Sequence, residues 1–217
     1  MAGEDFRTKT DRLLRSVDPY RRSHRSERHP FTPDRSALLV IDMQRFFMDE
    51  SSHAFVTDAP LVAENIRKLV ESYRSRGLPV IFTRHALLDD EPPGIMGTWW
   101  SDNLRTSDPQ SEIVDGLLPL PDEQVVRKTR YSAFIGTDLE HLLRSKGIER
   151  LLITGVMTHL CCESTARDAF MRDFEVFFVI DGTASSDDDL HESSLRCLTD
   201  GFVTPVTTEE VLVCMRG

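Results

Sequence analysis

Short apolar, β-branched runs alternate with stretches of helical period along most of this chain, and that rhythm admits little besides a parallel sheet covered by helices on both faces. Residues 37–41, 78–83, 124–127, 151–153, 176–180 and 202–206 read as strands. Between them, residues 59–76, 137–145, 163–173 and 187–200 read as helices. The first of these carries Leu61, Ile66, Leu69, Val70 and Tyr73 on one side and stops at Gly77, a residue suited to a helix C-terminus. At 217 residues, 40% hydrophobic and 29% charged, the chain fills one α/β domain and is short for two.

One interval breaks the rhythm. Residues 84–123 contain Pro92-Pro93-Gly94, Gly97, Trp99-Trp100 and Pro109, which makes the stretch far longer than an ordinary βα connection. Such a loop beside strand ends reads as a lid or pocket wall. The alternatives are a surface excursion that packs its own tryptophans, or a subunit contact.

A net charge of -10 argues against a nucleic-acid binder, whose affinity would rest on a basic surface. The first 35 residues differ, with Arg7, Lys9, Arg12, Arg15, Arg21, Arg22, Arg25, Arg28 and Arg35 against six acids. Because the acids are interspersed and Leu13, Leu14 and Val17 form a short apolar stripe, this segment reads as a helix and strap lying on the domain or on a partner subunit. A nucleic-acid or membrane arm is the other reading. The division expected is an N-terminal extension over 1–30 and a single domain over 31–217. With no apolar core after the early positive charges and no run long enough to span a bilayer, a cytoplasmic location without a membrane partner is expected. Four cysteines, two of them adjacent, form neither a disulfide framework nor a CxxC pair.

In an open parallel sheet the ligand crevice lies beyond the carboxyl ends of the strands, so the reactive residues at those ends decide the chemistry. Asp42 follows residues 37–41, Lys128 follows 124–127, and Cys161 lies in the turn after 151–153. That turn, Gly155-Val156-Met157-Thr158-His159-Leu160-Cys161-Cys162, opens a helix whose N-terminal N–H groups and dipole favour a thiolate and can receive an oxyanion. A carboxylate, an ammonium and a thiol brought together supply a base, a charge stabiliser and a nucleophile for acyl transfer. Taken singly, Asp42 could cap a turn, Lys128 could be a solvated cation and Cys161 a small buried apolar residue.

The chain resembles the isochorismatase-like cysteine hydrolases over about residues 31–212. The resemblance rests on Leu38-Leu39-Val40-Ile41-Asp42-Met43-Gln44, on Lys128-Thr129-Arg130-Tyr131-Ser132-Ala133-Phe134, and on Gly155 to Cys161 with the following Thr165-Ala166-Arg167-Asp168-Ala169. It implies a three-layer α-β-α sandwich of Rossmann-type topology around a parallel sheet of the six strands read above, assembled as a homodimer or homotetramer. It also implies that Asp42, Lys128 and Cys161 form a catalytic triad, with the backbone N–H groups of Met157 and Cys161 as the oxyanion hole and a cis bond at Val156–Met157. Isochorismatases proper carry glycine where this chain has Cys161 and commonly tyrosine where it has Met157. Yet Arg130 to Phe134, the run Asp168 to Asp173 and the N-terminal extension are shared with them.

The thiol shifts the expected reaction to hydrolysis of a small amide, carbamoyl or ureido compound through a thioester. Isochorismate-type vinyl-ether hydrolysis is the runner-up, and a non-catalytic scaffold of the same fold is the third reading. Arg84, His85, Trp99, Trp100 and Tyr131 are expected around the substrate, while Phe134 packs. Nicotinamidases bind a metal through an Asp-x-His pair in this region, whereas here Ala86-Leu87-Leu88 follow His85, so neither a metal nor nicotinamide is expected. No phosphate loop is present and no cofactor is expected. Asp187-Asp188-Asp189 reads as a helix cap, Cys162 as a buried bystander, and Cys197 and Cys214 as core thiols.

Overall fold

A computed structural model describes residues 5–21, 30–100 and 102–216. Within them six parallel strands form one sheet in the order β3-β2-β1-β4-β5-β6. They are β1 (Ser36–Ile41), β2 (Val80–His85), β3 (Gln124–Lys128), β4 (Arg150–Val156), β5 (Glu175–Ala184) and β6 (Thr204–Val206). The strand β1 is buried along its whole length, as a strand covered on both faces must be. Successive side chains alternate between the two layers. Ala37, Leu39 and Ile41 face one apolar cluster, and Leu38 and Val40 face the other.

The first cluster is closed by α1 (Phe6–Val17), α5 (Leu139–Ser145), α6 (Glu163–Met171) and α7 (Asp188–Gly201). The second is closed by α3 (Ala59–Ser75) and α8 (Thr208–Arg216). Two shorter helices, α2 (Arg45–Met48) and α4 (Ile95–Trp99), lie in the connections after β1 and β2. Leu13 and Val17 of α1 are buried in the first cluster, and Lys9 and Arg12 pair with Asp58 and Glu192, each at 2.5 Å. The expected strap over Arg22, Arg25 and Arg28 lies outside the described residues.

Several expectations need correction. The terminal helix α8 was not anticipated, and β5 runs on to Ala184 where the apolar run stops at Ile180. Cys197 and Cys214 are exposed, because each falls off the buried stripe of its helix. Asp187 does cap α7, its carboxylate accepting from the Leu190 N–H at 3.0 Å.

Strand order places the site. The chain winds from β1 outward to β3, then crosses back to β4, so the carboxyl ends of β1 and β4 flank a topological switch point. Ile41 sits in register with Gly155 there, and a Cβ on Gly155 would lie 2.0 Å from the Ile41 carbonyl oxygen. With φ at +115°, only glycine fits both the backbone and the space.

Candidate active site

Asp42 is the first residue beyond β1. Its φ of 48° turns the chain out of the sheet, a conformation aspartate tolerates better than most side chains. The turn is fastened on both sides. The Asp42 N–H donates to Thr83 Oγ1 at 3.0 Å, and that hydroxyl donates to Asp42 Oδ1 at 2.5 Å. Oδ2 is left facing Lys128, whose Nζ lies 2.7 Å away with both side chains fully buried.

Lys128 ends the edge strand β3, and its length lets it cross beneath β2 to reach the switch point. Its ammonium has three N–H groups and three partners: Asp42 Oδ2, the Arg130 carbonyl oxygen at 3.1 Å and Cys161 Sγ at 3.1 Å. Burial acts to lower the ammonium's pKa, but Asp42 and Cys161 beside it outweigh that and hold it above the usual lysine value.

Cys161 lies in a π-helical turn, Thr158–Cys162, that precedes α6. The Met157 carbonyl accepts from the N–H groups of Leu160 at 3.1 Å and Cys162 at 3.2 Å, and the Val156–Met157 peptide bond is cis. Burial pushes the Cys161 thiol up to about 12, with Lys128 opposing and Asp42 adding to the rise. The resting group is therefore a thiol, where the helix start alone suggests a thiolate. Cys162 is fully buried and forms no disulfide with Cys161.

Above Cys161 opens a cavity of about 340 Å³, walled by Phe46, Phe47, Met96, Trp100, Leu104 and Tyr131. Its polar lining comprises His53, His85, Asp102, Asn103, His159 and Ser186. Of the expected triad only Cys161 faces this space, and Asp42 and Lys128 stand behind it. The Trp100 indole N–H donates to Tyr131 Oη at 2.7 Å, tying the long loop to the segment after β3. His85 also lines the cavity, its pKa lowered to about 4 by burial and by Lys128, so its imidazole is neutral.

Two expected substrate contacts are not in the cavity wall. Arg84 points its guanidinium into the long loop, donating to the carbonyls of Ser111 and Thr106, both at 2.9 Å. Trp99 is 74% exposed, on the outer side of a helix whose Met96 faces inward. Among the described residues no three His, Cys, Asp or Glu side chains converge as a metal-ligand set.

Sequence reasoning missed several groups that build the site. Gln44 is fully buried and reads the end of β2, accepting from the His85 N–H at 2.8 Å and donating to the Ser111 carbonyl at 2.8 Å. Thr83 holds Asp42. Ser132 donates to Asp168, and the Ala133 N–H donates to Thr165 Oγ1 at 3.0 Å, docking the segment after Lys128 onto the helix after Cys161. The shared phrases around Ser132 and Asp168 thus have a physical tie, visible only once the two segments meet.

This geometry accompanies clear similarity to known proteins. The Isochorismatase domain model matches residues 36–210. Nicotinamidase 3 of Arabidopsis thaliana is 37% identical over 186 residues, covering 84% of this chain and 89% of that protein. Enterobactin synthase component B of Escherichia coli K12 is 37% identical over 183 residues, and the match takes in 84% of this chain but only 64% of that longer protein. A cysteine hydrolase of Pseudomonas syringae pv. phaseolicola superposes with a TM-score of 0.83 at 29% identity, over 86% of this chain and 95% of that one. The chain belongs to the isochorismatase-like hydrolase family.

Proposed function

We propose that this hydrolase cleaves the C–N bond of a small amide, carbamoyl or ureido compound through a thioester on Cys161. The observation that carries the reading is the 3.1 Å approach of Cys161 Sγ to Lys128 Nζ at the wall of the cavity, with Asp42 on the same ammonium. Apart from that ion pair, Asp42 Oδ2 has no hydrogen-bond partner, so it is the oxygen free to take the thiol proton.

Each step balances. Asp42 takes the proton as Sγ bonds to the substrate carbonyl carbon, and the Lys128 charge compensates the sulfur as it ionises. The carbonyl oxygen, now negative, is assigned to the N–H groups of Met157 and Cys161, both residues of the cavity wall. Protonated Asp42 then gives its proton to the leaving nitrogen as the C–N bond breaks. Water, deprotonated by Asp42, adds to the thioester and releases an acid and the free thiol. His85, Trp100 and Tyr131 would border the substrate.

The test is ammonia release over a panel of amides, ureido acids and carbamoyl amino acids, with nicotinamide included because of the Arabidopsis relative. Replacing Cys161 by Ala should abolish nitrogen release and the acyl adduct seen by mass spectrometry. Vinyl-ether hydrolysis, the reaction suggested by the match to the Isochorismatase domain, does not need the sulfur, so full activity in Cys161→Ala would sink the thioester mechanism. An intact protein inert toward the whole panel would favour a scaffold.

A further inference from the structure

The charges around the cavity are distributed unevenly. Arg84 is engaged with Ser111 and Thr106. Arg105 donates to the carbonyls of Leu88, Asp89 and Glu91, and Arg127 pairs with Glu91 at 2.7 Å while also donating to the Ala86 carbonyl. Lys128 is hidden beneath Cys161 with all its N–H groups taken. Among the described residues, therefore, no Arg or Lys lines the cavity.

An acid does. Asp102 lies in the lining, 55% exposed, and its nearest basic neighbour is His53 Nε2 at 3.7 Å. The other two lining histidines, His85 and His159, both have pKa values lowered by burial and are neutral near pH 7. Phe46, Phe47, Trp100 and Tyr131 line the same cavity, with the Phe46 ring 5.3 Å from the ring of His53. Aromatic faces attract cations through the ring quadrupole, most strongly where water is partly excluded. A substrate carboxylate would lose its hydration here and meet Asp102, whereas a cation would find a counter-ion and aromatic contact. The net charge of -10 also draws cations toward the molecule.

We propose that the cavity selects an amide-type substrate bearing a positively charged group remote from the scissile carbonyl, held by Asp102 and the aromatic wall, and rejects carboxylates. Only the placement of the carbonyl at Cys161 rests on the function proposed above. Among the described residues a competing cation is Arg130, which donates to the Thr129 carbonyl at 2.7 Å and lies against Gly94, outside the lining. Were it to swing inward it would favour anions, and the test separates the two.

Binding is measured by calorimetry on the Cys161→Ala protein, which removes turnover, with three probes of one shape: benzamide, 4-(aminomethyl)benzamide as the cation and 4-carbamoylbenzoate as the anion. The cation should bind about tenfold tighter than benzamide, and the anion more weakly than either. Adding Asp102→Asn should bring the cation-to-neutral ratio close to one, and Asp102→Glu should restore it. A tighter anion, a ratio that survives Asp102→Asn, or a cation that does not bind at millimolar concentration overturns the proposal. If the ratio holds but the wild-type enzyme releases no ammonia from any probe or panel compound, the charge selection stands and the amide-hydrolase reading fails.

Discussion

Lys128 Nζ lies 2.7 Å from Asp42 Oδ2 with neither side chain exposed to solvent, and the same ammonium lies 3.1 Å from Cys161 Sγ. The buried trio is neutral as a whole when the carboxylate and ammonium are charged and the sulfur keeps its proton. Ionising the thiol while Asp42 stays charged would leave a net negative charge in a dry place, which is why the thiol is raised to about 12. The proton must therefore move to Asp42 as the sulfur attacks, not before.

This predicts opposite effects of one substitution on two measurements. Asp42→Asn removes the proton acceptor, so turnover should fall by about 10³-fold or more. It also removes a charge that adds to the rise caused by burial, while Lys128 still opposes that rise, so the thiol pKa falls and more of the sulfur is thiolate near pH 8. Alkylation of Cys161 by iodoacetamide near pH 8 should then become about tenfold faster or more, read by peptide mass spectrometry against exposed Cys197. Loss of both turnover and labelling would show that Asp42 merely holds the site together.

Lys128→Met tests the same trio from the other side. It leaves the Asp42 carboxylate buried without its ion pair, and losing one partner of a buried pair costs about 3–5 kcal/mol. Chemical denaturation should show a loss of that order with the denaturant slope unchanged, together with the absence of turnover. A near-neutral effect would mean that water reaches Asp42.

Gly155→Ala should be among the most damaging substitutions of a small residue. The new Cβ would stand 2.0 Å from the Ile41 carbonyl at a φ of +115°, so β1 and β4 would have to part where Asp42 and Cys161 approach. Overlap with backbone cannot be relieved by a rotamer change, and a loss of about 3 kcal/mol or more is expected. The check is thermal unfolding alongside turnover: activity should fall even in the fraction that remains folded, because the carboxylate and thiol are no longer in register.

How much of this was legible in the sequence follows from how local each signal is. Asp42, Lys128 and Cys161 could be placed because each stands at the end of a strand whose own apolar run announces it, and parallel strands share one carboxyl edge. Gln44 and Thr83 could not, since their partners, the His85 and Asp42 backbones, belong to a different strand in each case. Arg84 and Trp99 are expected at the substrate from their place in residues 84–123, yet Arg84 falls within β2 with its guanidinium drawn to Ser111 and Thr106, distant in sequence, and Trp99 falls on the outer side of α4. Cys197 is a different kind of miss: the buried stripe of its helix runs through His191, Ser194, Leu195, Leu198 and Thr199, and helical period alone leaves position 197 outside it.

The last prediction concerns a histidine the chemistry does not use. His191 is buried on α7 beneath α1, with its Nδ1 2.8 Å from Thr158 Oγ1, the first residue of the turn that carries Cys161. Burial, aided by Lys9 and Arg12 of α1 and by His159 and opposed by Asp188, lowers its pKa from 6.5 to about 3. As pH falls below 6.5 the unfolded chain takes up this proton first, so stability is intact above that value and is lost progressively toward pH 3. His85, lowered to about 4, acts in the same direction. By pH 4 the contribution of His191 should reach on the order of 3 kcal/mol. Urea unfolding of wild type and His191→Gln from pH 7 to pH 4 measures it: the variant should start less stable and lose less on acidification. Equal losses in both proteins would mean that other groups drive the acid transition.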